Sequence, residues 1–315
     1  EASSVPTQAT TATGSQAAIP AVPNVSGGAT TGAGQIVRVK TDVLDLQIST
    51  KGGDVVAADL LTYPISLDEP DKPVRILDLN GRNYVAQSGL QHQPVNGQNA
   101  DGLAPNHLAD FTVEKTEYVL GADQNEVVVP LVWQGPNGVV VTKRYRLKKG
   151  SFDVTLEEEV KNNSAQPWVG SEYRQLKHGP SHVNNNFLTS GVQAYVGGAY
   201  YAEDKYKKVA FDDMKDPLTA TATGGWVSML EHYFVSAWVP PQDQSNTYYS
   251  MENQQAGTPN YILGVRSPVR EIAAGATDTF KSQLWIGPKM QDDLEAIAKG
   301  LDLTVDYGIF AFVSK

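Results

Sequence analysis

The chain has 315 residues, enough for one large domain or two smaller ones, and carries 35 Asp and Glu against 25 Lys and Arg for a net charge of −10. That acidic balance offers no footprint for a phosphate backbone, so nucleic acid is not expected as a partner. The absence of cysteine removes disulfides, thiol catalysis, zinc–thiolate sites and iron–sulfur clusters, and 28 Gly with 18 Pro in a chain only 19% charged favours many short strands over long surface helices.

In Glu1 to Gly34, Ala, Thr, Gly, Ser, Pro and Gln make up 28 of the 34 residues, and Glu1 carries the one charge. Large apolar side chains are too few there to offset the entropy of ordering, so residues 1–34 read as a flexible low-complexity linker. It shows no basic stretch followed by an apolar one, so no signal peptide is expected within it. From Ile36 the pattern changes: Val37 and Val39, then Leu44, Leu46 and Ile48, alternate with polar residues at a period of two. Lys51-Gly52-Gly53-Asp54 tolerates positive φ and predicts a hairpin turn before Val55. Asp68 to Pro73 and Gln91 to Pro105 are rich in turn residues, and the second is long enough to be a mobile surface loop.

Four β-rich runs follow at Phe111 to Leu120, Glu126 to Gln134, Val139 to Leu147 and Phe152 to Val160, with Pro136-Asn137-Gly138 as the clearest turn. They are expected to form an antiparallel meander. In the last run Phe152, Val154, Leu156 and Val160 share one face, and Asp153, Thr155, Glu157 and Glu159 the wet one. Further strands are expected at Trp168 to Leu176, Phe187 to Tyr201, Tyr233 to Val239, Thr247 to Met251, Tyr261 to Val265 and Thr277 to Ile286, too many for one flat sheet, so a two-layer sandwich over residues 35–287 follows. After Gly287-Pro288, the residues Met290, Leu294, Ile297, Ala298 and Leu301 fall at helical spacing, with Gly300 as a stop. Residues 288–315 are thus expected to form a short helical segment, its apolar end suggesting that it leads toward a membrane span.

Catalytic patterns are sparse. His178 and His182 have metal-like spacing, but Gly179-Pro180 between them argues for a turn, so no metal is expected. There is no G-x-S-x-G, no phosphate loop and no dinucleotide fingerprint, so neither a cofactor nor catalytic residues are assigned. Glu157 and Glu159 read as a solvated strand face rather than a glycosidase pair, and Trp133, Trp168, Trp226, Trp238 and Trp285 mostly as core. The exception is Gly197 to Phe211, where Tyr200, Tyr201 and Tyr206 interleave with Lys205, Lys208 and other charges. Such a mixture reads first as an edge strand guarded by charge, with a partner-binding surface as the other reading. Beyond the helix, Tyr307, Ile309, Phe310, Phe312 and Val313 are too few to span a bilayer. They suggest a membrane-interface segment, with a core-packed helix as the other reading.

Several runs together carry a resemblance: VKTDVLDL at Val39 to Leu46, Gly52-Gly53-Asp54, GGWVSMLEHYF at Gly224 to Phe234, LWIGPK at Leu284 to Lys289 and LDLTVDYG at Leu301 to Gly308. They resemble the large periplasmic domain of the YidC membrane-protein insertases of Gram-negative bacteria, from Ile36 to Lys315. The resemblance implies a mainly β, twisted β-supersandwich of galactose-mutarotase-like kinship, facing the periplasm from an inner-membrane protein. It further implies the Sec translocon and SecDF as partners, with nascent membrane proteins handled by a membrane core outside this chain. Mutarotases use a His acid and a Glu base, and no residue here matches either by motif. A non-catalytic docking domain is therefore the expectation, with a sugar-binding or sugar-isomerising domain and a peptide-binding chaperone module as the alternatives.

Overall fold

Side-chain alternation at a period of two governs the chain from Ile36 onward, and it builds strands wherever one face can be buried. The computed structural model describes residues 34–180 and 195–305. The first run contains β1 (Ile36–Lys40), β2 (Leu44–Ser49), β3 (Val55–Pro64) and β4 (Pro73–Asp78). One helical turn, α1 (Leu79–Arg82), leads into β5 (Val85–His92) and then β6 (Glu117–Val119). Next come β7 (Glu126–Gln134), β8 (Val139–Lys148), β9 (Asp153–Asn162) and β10 (Trp168–His178). From residue 195 the chain forms β11 (Gly197–Ala202), β12 (Lys205–Val209), β13 (Thr219–Thr223), β14 (Trp226–Leu230) and β15 (Phe234–Val239). It continues through β16 (Ser245–Gln255), β17 (Thr258–Arg266), β18 (Arg270–Ile272) and β19 (Thr277–Pro288), then closes with α2 (Gln291–Ile297) and a 3-10 turn, Leu301–Thr304.

The strands form two sheets. The larger has eleven strands along the path β13-β16-β17-β10-β5-β3-β2-β1-β6, with β18 beside β10 and β4 beside β3. The smaller has eight, in the order β12-β11-β14-β15-β19-β9-β8-β7. Their facing sides supply the core, with Leu46, Ile48 and Leu60 from the larger sheet and Val129, Leu147 and Leu156 from the smaller, all fully buried. The β2–β3 turn follows the sequence expectation, with Gly52 and Gly53 at φ +74° and +67°. A Cβ at Gly52 would lie 2.2 Å from the His107 carbonyl oxygen, so glycine is required there on two counts.

Several expectations are corrected. The meander has three strands, β7-β8-β9, not four. In the run expected before it, Thr112 bridges to Val132 while Glu117 to Val119 pairs parallel with β1 in the other sheet, so that stretch crosses between layers. The loop expected from Gln91 starts at Gln93, because β5 continues to His92 against β10. Strands β4, β5, β12, β13, β14 and β18 were not foreseen. The terminal helix ends at Ile297, and Gly300, at φ +76°, introduces the Leu301–Thr304 turn. Within it Leu294 is buried, whereas Met290 sits before the first turn and is exposed. The expectations for residues 1–33, for the Phe187 end of its strand, for His182 and for Tyr307, Ile309, Phe310, Phe312 and Val313 lie outside the described residues.

Candidate functional site

Three places in the described structure gather chemistry-bearing side chains. The first lies between the sheets. β8 points Val141, Lys143 and Tyr145 inward, and β9 points Leu156, Glu158 and Val160 inward, so the register Lys143↔Glu158 sets a cation and an anion side by side in the core. Both side chains are 0% exposed and stand 3.3 Å apart. Lys143 Nζ also donates to the Gly52 and Ser88 carbonyl oxygens at 2.7 and 2.8 Å and to Ser88 Oγ at 2.8 Å. From β10, Glu172 and Arg174 face the same layer, 3.3 Å apart, and Ser282 Oγ of β19 donates to Glu172 at 3.2 Å. Asp54 accepts from Gln87 Nε2 at 2.8 Å.

Burial dominates the electrostatics of this group. It pushes Asp54 up to about 7, against the pull of Lys143 and the Gln87 hydrogen bond. It raises Glu158 as well, with Lys143 opposing and Glu172 reinforcing. His107 is pushed down to about 3, chiefly by burial and then by Lys177 and Lys143, and it pairs through Nδ1 with the Tyr173 hydroxyl at 2.7 Å. His178 is lowered to about 4 by burial, its Nδ1 against the Gly179 carbonyl at 2.6 Å and its ring stacked on Phe211. Both histidines are therefore neutral at physiological pH. The charges of Lys143, Glu158, Glu172 and Arg174 are sealed against one another, and what this arrangement does is tie β5, β8, β9 and β10 together across the core. Sequence reasoning missed it. The signal was present as a charge at the inward phase of two neighbouring strands, between Val141 and Tyr145 and between Leu156 and Val160.

The second place is a cleft of about 900 Å³ at one end of the sandwich. Pro94, Val95, Leu103, Pro136, Trp168 and Val269 give it an apolar lining, and no Asp, Glu, Lys or Arg lines it. His92 at its wall is lowered by burial, with Nδ1 against the Gln93 carbonyl at 2.7 Å and Nε2 accepting from the Val169 amide at 3.1 Å. With both ring nitrogens engaged, this cleft offers an apolar seat and no general acid or base.

The third is the surface singled out by the tyrosine–lysine interleaving. Tyr200 and Tyr201 are 4% and 8% exposed, so they are core residues rather than contact groups. Successive residues of β11 point to opposite faces: Tyr200 turns toward the other sheet and stacks on Tyr248, while Tyr201 turns outward and stacks on Trp226. That outer face is covered by the end of the chain, where the Gly300 backbone approaches the Tyr201 ring and Trp226 Nε1 donates to the Lys299 carbonyl at 3.1 Å. Tyr206 is half-buried against Trp226, leaving Lys205, Lys207 and Lys208 exposed on the edge strand β12. Among the described residues no group of three or more His, Asp or Glu could hold a metal ion.

Two antiparallel-rich sheets packed face to face, with a short covering helix, define a galactose-mutarotase-like β-supersandwich. The fold matches a galactose mutarotase related enzyme from Lactobacillus acidophilus at a TM-score of 0.53, with 11% identity over 80% of this chain and 97% of that one. It also matches a galactose mutarotase-like protein from Lactobacillus casei at 0.52, with 8% identity over 80% and 99% of the two chains. At such identities the likeness concerns fold alone. The sequence is decisive: a family model described as the YidC periplasmic domain matches residues 36–315, and the chain belongs to that family. The membrane protein insertase YidC of Thioalkalivibrio sulfidiphilus is 44% identical over 280 residues, covering 89% of this chain and 50% of that relative. The corresponding protein of Methylococcus capsulatus is 40% identical over 282 residues, with 89% and 50% covered. The chain thus spans about half the length of the curated relatives it matches.

Proposed function

We propose that this chain is the periplasm-facing accessory domain of a bacterial inner-membrane insertase, docking and positioning it beside the Sec translocon without catalysing a reaction of its own. Residues 1–34 act as a linker, 35–287 as the body, and 288–315 as the segment leading toward a membrane span. Insertion of nascent membrane proteins belongs to the remainder of the protein. The observation that carries this reading is the family match over residues 36–315. It is supported by the sealed interior, where His107, Lys143 and Glu158 are buried and paired instead of converging on an open cleft. The exposed lysines of β12 are the proposed docking surface for SecDF, with Lys205 and Lys208 at its centre and Tyr200, Tyr201 and Tyr206 shaping the strand beneath them.

The test is a photo-cross-linker placed at Lys205 or Lys208 in the intact protein in cells. Capture of SecDF or a translocon subunit from β12, and not from Thr221 on β13, is the expected result. Capture from Thr221 alone moves the docking surface to another edge. The mutarotase-like fold keeps a sugar-isomerising reading in play, and polarimetry of the purified chain with freshly dissolved α-glucose decides it: rotation drifting at the uncatalysed rate is expected.

A further inference from the structure

The β3–β4 hairpin holds the most exposed aliphatic side chain among the described residues. Leu67 is 95% exposed and Ile65 51%, at the tip of a turn that nothing else in the fold covers. Isolated surface leucines are ordinary, but this one has company. Tyr63, at the base of the hairpin, packs against Phe152 and Phe234 at ring separations of 6.0 and 5.8 Å, and its hydroxyl lies 3.7 Å from Met290 Sδ. Phe152 opens onto the β8–β9 turn with the exposed Lys148 and Lys149, and Gly150 in that turn donates to Asp42 in the β1–β2 turn at 2.8 Å, beside Lys40. The Lys289 amide donates to the Tyr233 carbonyl at 3.0 Å, and Tyr233 and Met290 are themselves exposed. One end of the sandwich therefore presents Ile65, Leu67, Tyr233 and Met290 within a border of lysines.

We infer that this end rests on a lipid bilayer, with Ile65 and Leu67 entering the headgroup and acyl boundary. The chemistry fits that occupant: an aliphatic tip, a tyrosine whose ring suits the interface, and lysines whose stems can lie along it while their heads reach phosphate oxygens. Two aliphatic side chains bind a bilayer weakly by themselves, and Asp68, Glu69 and Asp71 on the descending arm limit the electrostatic share, although Lys72 pairs with Glu69. The contact is therefore one that operates on a tethered domain, where the effective concentration of lipid is high. It rests on the membrane-attached reading above but is independent of which protein the β12 lysines meet.

The chain has no cysteine, so Leu67→Cys and, on a distant edge strand, Thr221→Cys each give one labelling site for an environment-sensitive nitrobenzoxadiazole dye. The labelled 315-residue chain is tethered by an N-terminal histidine tag to phosphatidylethanolamine–phosphatidylglycerol vesicles carrying nickel-chelating lipid. The expected result is a blue shift with about a two-fold or larger rise in emission at position 67 and none at 221. Adding Ile65→Asp should remove most of the rise with the melting temperature unchanged, because that side chain packs little in the fold. Water-like emission at position 67 on tethered vesicles overturns the inference, as does an equal rise at both positions. A photo-cross-linker at 67 that captures a protein instead of lipid in cells assigns the tip to a protein partner and overturns it too. None of these outcomes touches the cross-linking test on β12.

Discussion

Replacing Lys143 by Met isolates what the buried charge pair contributes. Met fills nearly the same volume, so no large cavity enters the comparison. The loss has two parts. The Gly52 and Ser88 carbonyls and Ser88 Oγ lose a donor now at 2.7 to 2.8 Å, at a cost of about 2 kcal/mol in all, independent of pH. Glu158, now 3.3 Å from the ammonium, is left alone, and keeping a buried carboxylate ionised without its partner costs about 3–5 kcal/mol. That second cost can be escaped by protonation. Burial already holds the folded-state pKa of Glu158 above the ordinary value of 4.5, and removing Lys143 raises it further. The folded state then binds a proton that the unfolded state has released. Stability falls as pH rises through that window, by about 1.4 kcal/mol per unit, and the window reaches higher in the variant than in the parent. The deficit of Lys143→Met is therefore expected to be about 2 kcal/mol at pH 5 and about 3–5 kcal/mol at pH 8, the rise coming from Glu158 and from Asp54, the other buried carboxyl that Lys143 pulls down. Urea melts at both pH values measure it, and Glu158→Gln together with Asp54→Asn in the same chain should abolish the pH-dependent part. A deficit equal at the two pH values, or one whose pH dependence survives both carboxyl substitutions, refutes this account.

Asp54, pushed up to about 7, is protonated in the folded chain at pH 5 and ionised at pH 8, so the parent loses stability across that range. Asp54→Asn should flatten the decline by about 1–3 kcal/mol in the same melts, and an unchanged slope would place the titration elsewhere. Leu294→Ala removes the buried side chain of α2 and should cost about 2–4 kcal/mol. With it should come a red shift of tryptophan emission, as Trp226 loses the cover of the terminal segment. Phe310→Asp with Phe312→Asp should weaken membrane-protein insertion in cells and leave the melting temperature of the chain nearly unchanged if that run meets the bilayer. A large drop in melting temperature with normal insertion would instead place the two rings in the core.

Much of this protein was legible locally, because strand periodicity and turn chemistry are local physics. Glu126–Gln134 coincides with its predicted run to the residue, and Gly52-Gly53 and Asn137-Gly138 adopt the positive φ their composition calls for. Family membership was legible too, since it resides in the order of several short runs. What the sequence could not say is which strand neighbours which. Glu117–Val119 reads like its neighbours but pairs across the molecule with β1, a choice made by long-range register. Tyr200 and Tyr201 look like a contact surface in a row of charges. They are buried because β11 lies between the opposite sheet and the segment around Gly300, which arrives about a hundred residues later. Glu158 sat in full view within an acidic run. Its place opposite Lys143, and with it the sealed ionic core, exists only once β8 and β9 pair and the two sheets close over them, because an ion pair's environment is a property of everything packed around it and not of its own strand.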